Sequence, residues 1–240
     1  MRSNLNSDTH AIAIGLSQPF ACSYLSGQQE QLLVIQEDEL DLSLFERLLA
    51  LGFRRSGGAI YKPRCPHCNA CQPIRVPLDE FRLSKRQKRT LAKNRDLHFR
   101  IVTEETPAHY PLYERYICAR HSDGPMYPPS EEQYRHFLAC EWLSPVFIEL
   151  WHGQRLVAVA VTDLLPQSLS AIYSYFDPDY SDRSLGSLLV LQQCRLGKLM
   201  SKSFLYLGYQ IDNHDKMGYK RLYRPYEILG VQGWQKSDNH

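Results

Sequence analysis

Val146-Phe-Ile-Glu-Leu-Trp151, Leu156-Val-Ala-Val-Ala-Val161 and Ser170-Ala-Ile-Tyr-Ser-Tyr-Phe176 follow one another in the second half of the chain. Each is a short apolar run rich in residues that favour strands, and Gly153 and the Pro166-Gln-Ser168 stretch punctuate them as turns. That pattern predicts an antiparallel meander. Ser184 to about Met200 then places Leu185, Leu188, Leu189, Leu191, Cys194 and Leu196 at helical spacing, and Phe204-Leu-Tyr-Leu-Gly208 reads as a last strand. Upstream, Ser130-Glu-Glu-Gln-Tyr-Arg-His-Phe-Leu-Ala-Cys-Glu-Trp142 opens with a capping box from Ser130 and Gln133 and predicts a helix. Helix, meander, helix, strand is an α+β organisation with a mixed sheet. This unit is expected to occupy residues 106–240.

Residues 1–105 form the other expected unit. Asp41-Leu-Ser-Leu-Phe-Glu-Arg-Leu-Leu-Ala-Leu-Gly52 reads as a short amphipathic helix, capped by Asp41 and ended by Gly52. Phe53-Arg-Arg-Ser-Gly-Gly-Ala-Ile-Tyr61 suggests a hairpin around Gly57-Gly58, and Pro73-Ile-Arg-Val-Pro77 an edge strand bounded by prolines. Between them lies Cys65-Pro-His-Cys68-Asn-Ala-Cys71. The C-x-x-C step lets one turn offer two thiolates to one ion, so Cys65, Cys68 and Cys71 are candidate metal ligands, with the distant Cys22 as the fourth. His67 is expected to be a solvated bystander. The alternative is a cysteine-rich turn that holds no metal.

Composition narrows the function. The fractions of 43% hydrophobic and 22% charged residues leave no room for a large disordered portion. No segment approaches the ~20 apolar residues of a membrane span, and Met1 to Ile14 lacks the features of a secretory signal. Seven cysteines, an odd count, fit a reducing cytoplasm, with Cys118, Cys140 and Cys194 expected to pack as small hydrophobes. The net charge of +2 conceals a strong asymmetry: residues 54–100 carry thirteen Lys and Arg against three acids. Ser84 is positioned to cap a helix through about Asp96, and Lys85, Arg86, Lys88, Arg89, Lys93 and Arg95 surround it. Such a block is a candidate phosphate-contacting face for tRNA.

Several short motifs then occur in a fixed order: Cys22-Ser-Tyr-Leu25, Leu51-Gly-Phe-Arg-Arg-Ser56, Tyr61-Lys-Pro-Arg-Cys65, Tyr173-Ser-Tyr-Phe-Asp-Pro178, Arg183-Ser-Leu-Gly186, Tyr206-Leu-Gly-Tyr209, Lys216-Met-Gly-Tyr-Lys220 and Arg224-Pro225. From about Gln18 to Gly230 the chain closely resembles the bacterial aspartate/glutamate leucyltransferases, a branch of the aminoacyl-tRNA–protein transferases related to eukaryotic arginyltransferases. The resemblance implies an N-terminal cysteine-containing domain followed by a GNAT-like mixed-sheet domain. It implies transfer of leucine from leucyl-tRNA to the α-amine of proteins beginning with Asp or Glu, marking them for degradation by the N-end rule. No cofactor is required for that transfer. In eukaryotic relatives the cysteines are associated with zinc or an iron–sulfur cluster. Here a third cysteine stands one step beyond Cys68, where the eukaryotic form has adjacent cysteines.

An aminoacyl ester is already activated, so the enzyme must chiefly align amine and carbonyl, remove a proton and stabilise an oxyanion. The chain offers no convincing nucleophile–base constellation. Asp177 is a candidate for orienting or deprotonating the substrate amine, and an inward Tyr206 or Tyr209 for the oxyanion or the terminal adenine. Lys216, Lys220 and Arg224, in a loop after the last strand, are candidates for reading the acidic N-terminus. Trp142, Trp151 and Trp234 are assigned to packing. Arg183-Ser-Leu-Gly186-Ser187 keeps only part of the phosphate loop of coenzyme A-dependent acetyltransferases, which argues against that rival. Arginyl-tRNA is the alternative donor, and a non-catalytic zinc-ribbon-like RNA-binding protein the alternative class.

Overall fold

The structure, a computed structural model, describes residues 12–36, 40–214 and 217–237. In chain order its strands are β1 (Ala13–Leu16), β2 (Phe20–Ala21), β3 (Gln29–Glu30), β4 (Leu32–Gln36), β5 (Arg54–Ser56), β6 (Ala59–Pro63), β7 (Gln72–Pro77), β8 (His98–Val102), β9 (Val146–His152), β10 (Arg155–Leu164), β11 (Ser168–Phe176), β12 (Phe204–Gln210), β13 (Glu227–Gly230) and β14 (Gly233–Lys236). The helices are α1 (Leu42–Ala50), α2 (Lys85–Lys93), α3 (His109–Arg120), α4 (Glu131–Leu138) and α5 (Leu185–Leu199), with 3₁₀ segments at Pro178–Arg183 and Gly218–Leu222.

Local chemistry explains the first elements. Asp41 Oδ1 accepts from Leu44 N at 2.6 Å, and Leu44, Phe45, Leu48 and Leu49 turn one face of α1 inward. Gly52, at φ +88°, takes the left-handed position that ends the helix. The expected hairpin forms from β5 and β6 around Gly57-Gly58. Ser84 and Gln87 close a full capping box on α2, which stops at Lys93, short of the expected Asp96.

The meander of β8, β9, β10 and β11 is antiparallel throughout, and α5 carries the chain back so that β12 runs parallel to β11. This is the mixed sheet the sequence implies. It grows to eight strands in the order β14-β13-β7-β12-β11-β10-β9-β8, beside a four-stranded sheet β1-β4-β6-β5 and the pair β2-β3. Two expectations are corrected. Pro73–Pro77 is not an edge strand, because β7 lies between β13 and β12; only Ile74 and Arg75 face β13, so both prolines fall outside that contact. Cys118 is exposed rather than packed. The large sheet also crosses the expected division at 105/106, since β7 and β8 belong to it.

Three apolar clusters flank the sheet. One joins α5 to β7, β9, β10 and β12, and a second places α3 and α4 on β10 and β11. The third ties α1 and the small sheet to Leu165 and Tyr206. Across that junction Arg55 reaches Asp163 of β10 with two bonds, Nε–Oδ2 at 2.8 Å and Nη2–Oδ1 at 2.5 Å, and both side chains are fully buried. Removing one member of a buried pair strands the other charge. Asp163→Asn is therefore expected to lower unfolding free energy by roughly 3–5 kcal/mol in urea titrations. A loss below about 1 kcal/mol would show the pair to be incidental.

Candidate functional site

β11 and β12 are paired at three positions only, Ser168–Phe204, Leu169–Leu205 and Ser170–Tyr206. Beyond Ser170 they part, and residues 171–174 change from buried to half-buried. Both strands are irregular at the parting. The register of β11 against β10 shifts between Val161 and Thr162, and that of β12 against β7 between Tyr206 and Tyr209. Gly208 sits in the second bulge at φ +84°, a conformation only glycine adopts at little cost.

Arg54 reaches this gap from β5. Its Nη1 donates to Ser170 Oγ at 3.0 Å and its Nη2 to the Ala171 carbonyl, the last paired and first unpaired residues of β11. A Cβ on Gly208 would stand 3.5 Å from Arg54 Nε, so the same guanidinium lies against β12. Lys220 is also buried and donates from Nζ to the Tyr209 carbonyl. Burial, followed by the repulsion of Arg54, lowers Lys220 from 10.5 to about 7.

The expected site residues separate into groups. Tyr206 packs in the core of the small-sheet unit, with its hydroxyl accepting from Arg75 at 3.1 Å. Tyr209 donates to the Gly52 carbonyl at 2.8 Å. Burial raises the pKa of both phenols. Asp177 is fully buried at the end of β11 and caps the 3₁₀ segment, while Arg115 (2.9 and 3.1 Å) and Arg155 (2.5 Å) hold its carboxylate. Its oxygens are thus committed to arginines, which gives Asp177 a structural task where a substrate-facing one was expected. Arg224 is exposed, unlike Lys220. Lys216 lies outside the described residues. The sequence reading missed Arg54, although two adjacent arginines in a strand flanked by apolar residues were a signal.

A tyrosine-rich wall rims the gap. Tyr173 of β11 packs against Tyr113, Tyr116 and Phe137, and Tyr24 meets His214 edge-on at 6.1 Å. Beside it an open depression of about 540 Å³ is lined by Gln210 to His214, Gly218, Tyr219 and Arg221. Helix α2 is tied to the start of α5, since its C-cap Asn94 donates to the carbonyl of Arg183 just before that helix, and its Gln87 donates to the Leu222 carbonyl. Lys85, Arg86, Lys88, Arg89, Lys93 and Arg95 are all exposed. Lys93 pairs with Asp182, and the other five make no ion pair among the described residues.

A model of the N-terminal part of arginine-tRNA–protein transferases matches residues 20–89, and a model of the C-terminal part matches residues 108–230. The chain is 70% identical to the aspartate/glutamate leucyltransferase of Shewanella oneidensis, over 98% of both chains. It belongs to the arginine-tRNA–protein transferase family. It is 48% identical to the aspartate/glutamate leucyltransferase of Aeromonas hydrophila, over 95% of this chain and 96% of that one. Among solved structures, the C-terminal domain of a putative lysylphosphatidylglycerol synthetase from Agrobacterium fabrum is similar in fold alone, with a TM-score of 0.50 at 13% identity over 81% of this chain and 63% of that one.

The cysteines of this family member converge. Cys22, Cys65, Cys68 and Cys71 line one cavity of about 30 Å³ together with Glu30 and Asn69. Cys22 Sγ accepts from the backbone N–H of Tyr24 and Leu25 at 3.5 and 3.4 Å. Burial, then the neighbouring thiols Cys22 and Cys65, pushes Cys71 up to about 12. Four thiols around one cavity are the donor chemistry of a soft metal. Among the described residues, however, no three His, Cys, Asp or Glu side chains already form a ligand group.

The depressed pKa of Lys220 has a signed consequence. Between about 7 and 10.5 the unfolded chain binds the lysine proton that the folded chain releases. Stability gains from this residue as pH rises through that window, and the full cost of burying the ammonium is present below it. Lys220→Met is expected to flatten the rise, read from urea unfolding at pH 7 and pH 10. An identical slope in the variant would contradict the assignment.

Proposed function

We propose that this chain transfers leucine from leucyl-tRNA to the α-amine of proteins beginning with Asp or Glu; its relatives in Shewanella oneidensis and Aeromonas hydrophila are named aspartate/glutamate leucyltransferases. The observation that carries the reading is the parted sheet, with an exposed basic helix packed beside its mouth. The amine attacks the ester carbonyl, a C–N bond forms, the C–O bond to the terminal ribose breaks, and the ribose oxygen leaves with a proton. The ester supplies the activation, so alignment of the two substrates in the gap does most of the work.

In this reading Lys85, Arg86, Lys88, Arg89, Lys93 and Arg95 contact phosphates, and the stem leads past the start of α5 to the gap. Lys220 reads the acceptor, with Lys216 and Arg224 as further cations of the same loop. Tyr209 shapes the floor of the gap through its bond to Gly52. The acylated product is a substrate for N-end rule degradation. Seven free cysteines, and no helix among the described residues long and apolar enough to cross a membrane, support a reducing cytoplasmic setting. Zinc or an iron–sulfur cluster, if held by Cys22, Cys65, Cys68 and Cys71, would pin the β2–β3 loop to the 65–71 segment. Metal analysis of protein purified under reducing conditions tests this, with one metal or one cluster per chain expected; metal-free protein of full activity would remove it.

The family models carry the arginyl name, so arginyl-tRNA is the second reading for the donor. Radiolabelled leucyl-tRNA and arginyl-tRNA, offered with peptides starting with Asp, Glu or Ala, separate the two. Leucine incorporation confined to the acidic peptides is expected; arginine incorporation overturns the donor, and no incorporation overturns the enzyme in favour of an RNA-binding protein. Replacing Lys85, Arg86, Lys88 and Arg89 together by Glu is expected to weaken tRNA binding by roughly a hundredfold or more at about 0.15 M salt, with an unchanged melting temperature. Undiminished binding would dismiss α2 as the tRNA face.

A further inference from the structure

Two cations are buried in the gap without an anion. Arg54 and Lys220 retain 7% and 8% of their exposure, and among the described residues neither makes an ion pair. Their hydrogen-bond acceptors are neutral: Ser170 Oγ and the Ala171 carbonyl for Arg54, the Tyr209 carbonyl and Met217 Sδ for Lys220. Burial lowers Arg54, and the groups that favour its charge are, in order, the phenols Tyr61 and Tyr209 and then Asp163, the one carboxylate among them, which Arg55 already holds with two bonds. The two cations meet β12 at consecutive residues, Arg54 against Gly208 and Lys220 on Tyr209. Buried charges are ordinarily paired, and two neighbouring like charges left unpaired cost more than either alone. A guanidinium has five N–H donors and an ammonium three, so this pair keeps unused donors after its neutral acceptors are counted.

We propose that Arg54 and Lys220 together seat the side-chain carboxylate of the acceptor's first residue, and so select Asp and Glu; this rests on the transferase reading above. A carboxylate on a short stem supplies the missing charge and takes the guanidinium fork and the ammonium at once. The exposed cations of α2 provide for phosphates elsewhere, whereas this pair lies where β11 and β12 part, at Ser170, Ala171, Gly208 and Tyr209. The division of labour also explains tolerance of two acid lengths. Arg54 is fixed by its bonds across the gap, and the flexible lysine stem adjusts by one methylene. Gly208 keeps β12 free of a side chain where the guanidinium lies.

The test compares leucine transfer from leucyl-tRNA onto peptides that differ only in Asp or Asn at the first position. In Arg54→Gln and in Lys220→Met the Asp-over-Asn ratio of kcat/KM is expected to fall by roughly thirtyfold or more, with an unchanged Kd for leucyl-tRNA. Lys220→Arg, which keeps the charge, is expected to retain most of the ratio. Lys220→Met is also expected to melt no lower than the parent chain below pH 7, where the cost of burying the protonated amine is greatest and the variant removes it. An unaltered Asp-over-Asn ratio overturns the proposal, and a lowered melting temperature with that ratio intact assigns Lys220 to the fold. Loss of leucyl-tRNA affinity instead of acceptor selectivity also overturns it, in favour of phosphate. Failure of the parent chain to transfer leucine to any peptide is a different result and refutes the transferase reading itself.

Discussion

The brief parallel contact between β11 and β12 is the constraint on which the rest of the molecule turns. Three residue pairs hold the two strands, and then a bulge in each changes their direction. Unpaired backbone inside a protein needs partners, and here an arginine from another sheet provides part of them. Arg54 takes Ser170 Oγ and the Ala171 carbonyl and packs on Gly208, so the gap is braced while remaining a gap. A continuous sheet would leave no such opening.

That brace accounts for the way the N-terminal cysteine-containing region is joined to the mixed sheet. Neighbouring residues of β5 point to opposite faces, and Arg54 and Arg55 use this alternation for unlike tasks. Arg55 finds Asp163 and forms a closed, fully buried pair that fixes the small sheet on β10. Arg54 finds only neutral acceptors and stays electrostatically incomplete. A fold that selects for stability alone would not keep the second arrangement. Groups that break a local rule in this way gather where ligands bind.

Much of this was legible in the residues. The apolar runs of β9 and β10 are buried on both faces and therefore read as continuous blocks, and capping residues announced α1, α2 and α4. Tertiary pairing was not legible. Pro73 and Pro77 suggested an edge, yet β7 is interior because its prolines lie at its two ends, clear of β13. Simple alternation sends Tyr206 and Tyr209 to opposite faces, but the Gly208 bulge between them turns both towards the N-terminal unit. Asp177 read as a carboxylate at the mouth of the sheet, whereas Arg115 and Arg155, far from it in sequence, claim it. Sequence spacing carries no information about partners that distant.

The charges of this chain fall into two populations, and burial separates them. Those on α2 are solvated, so they act at long range, weaken with salt and favour a polyanion whatever its sequence. Those in the gap have paid desolvation in advance, so they act over one contact and discriminate between a carboxylate and its amide. A tRNA must be bound for its backbone and an acceptor for its first residue. In the function proposed here the exposed cations take the first and the buried cations the second, a division that rests on their different dielectric environments.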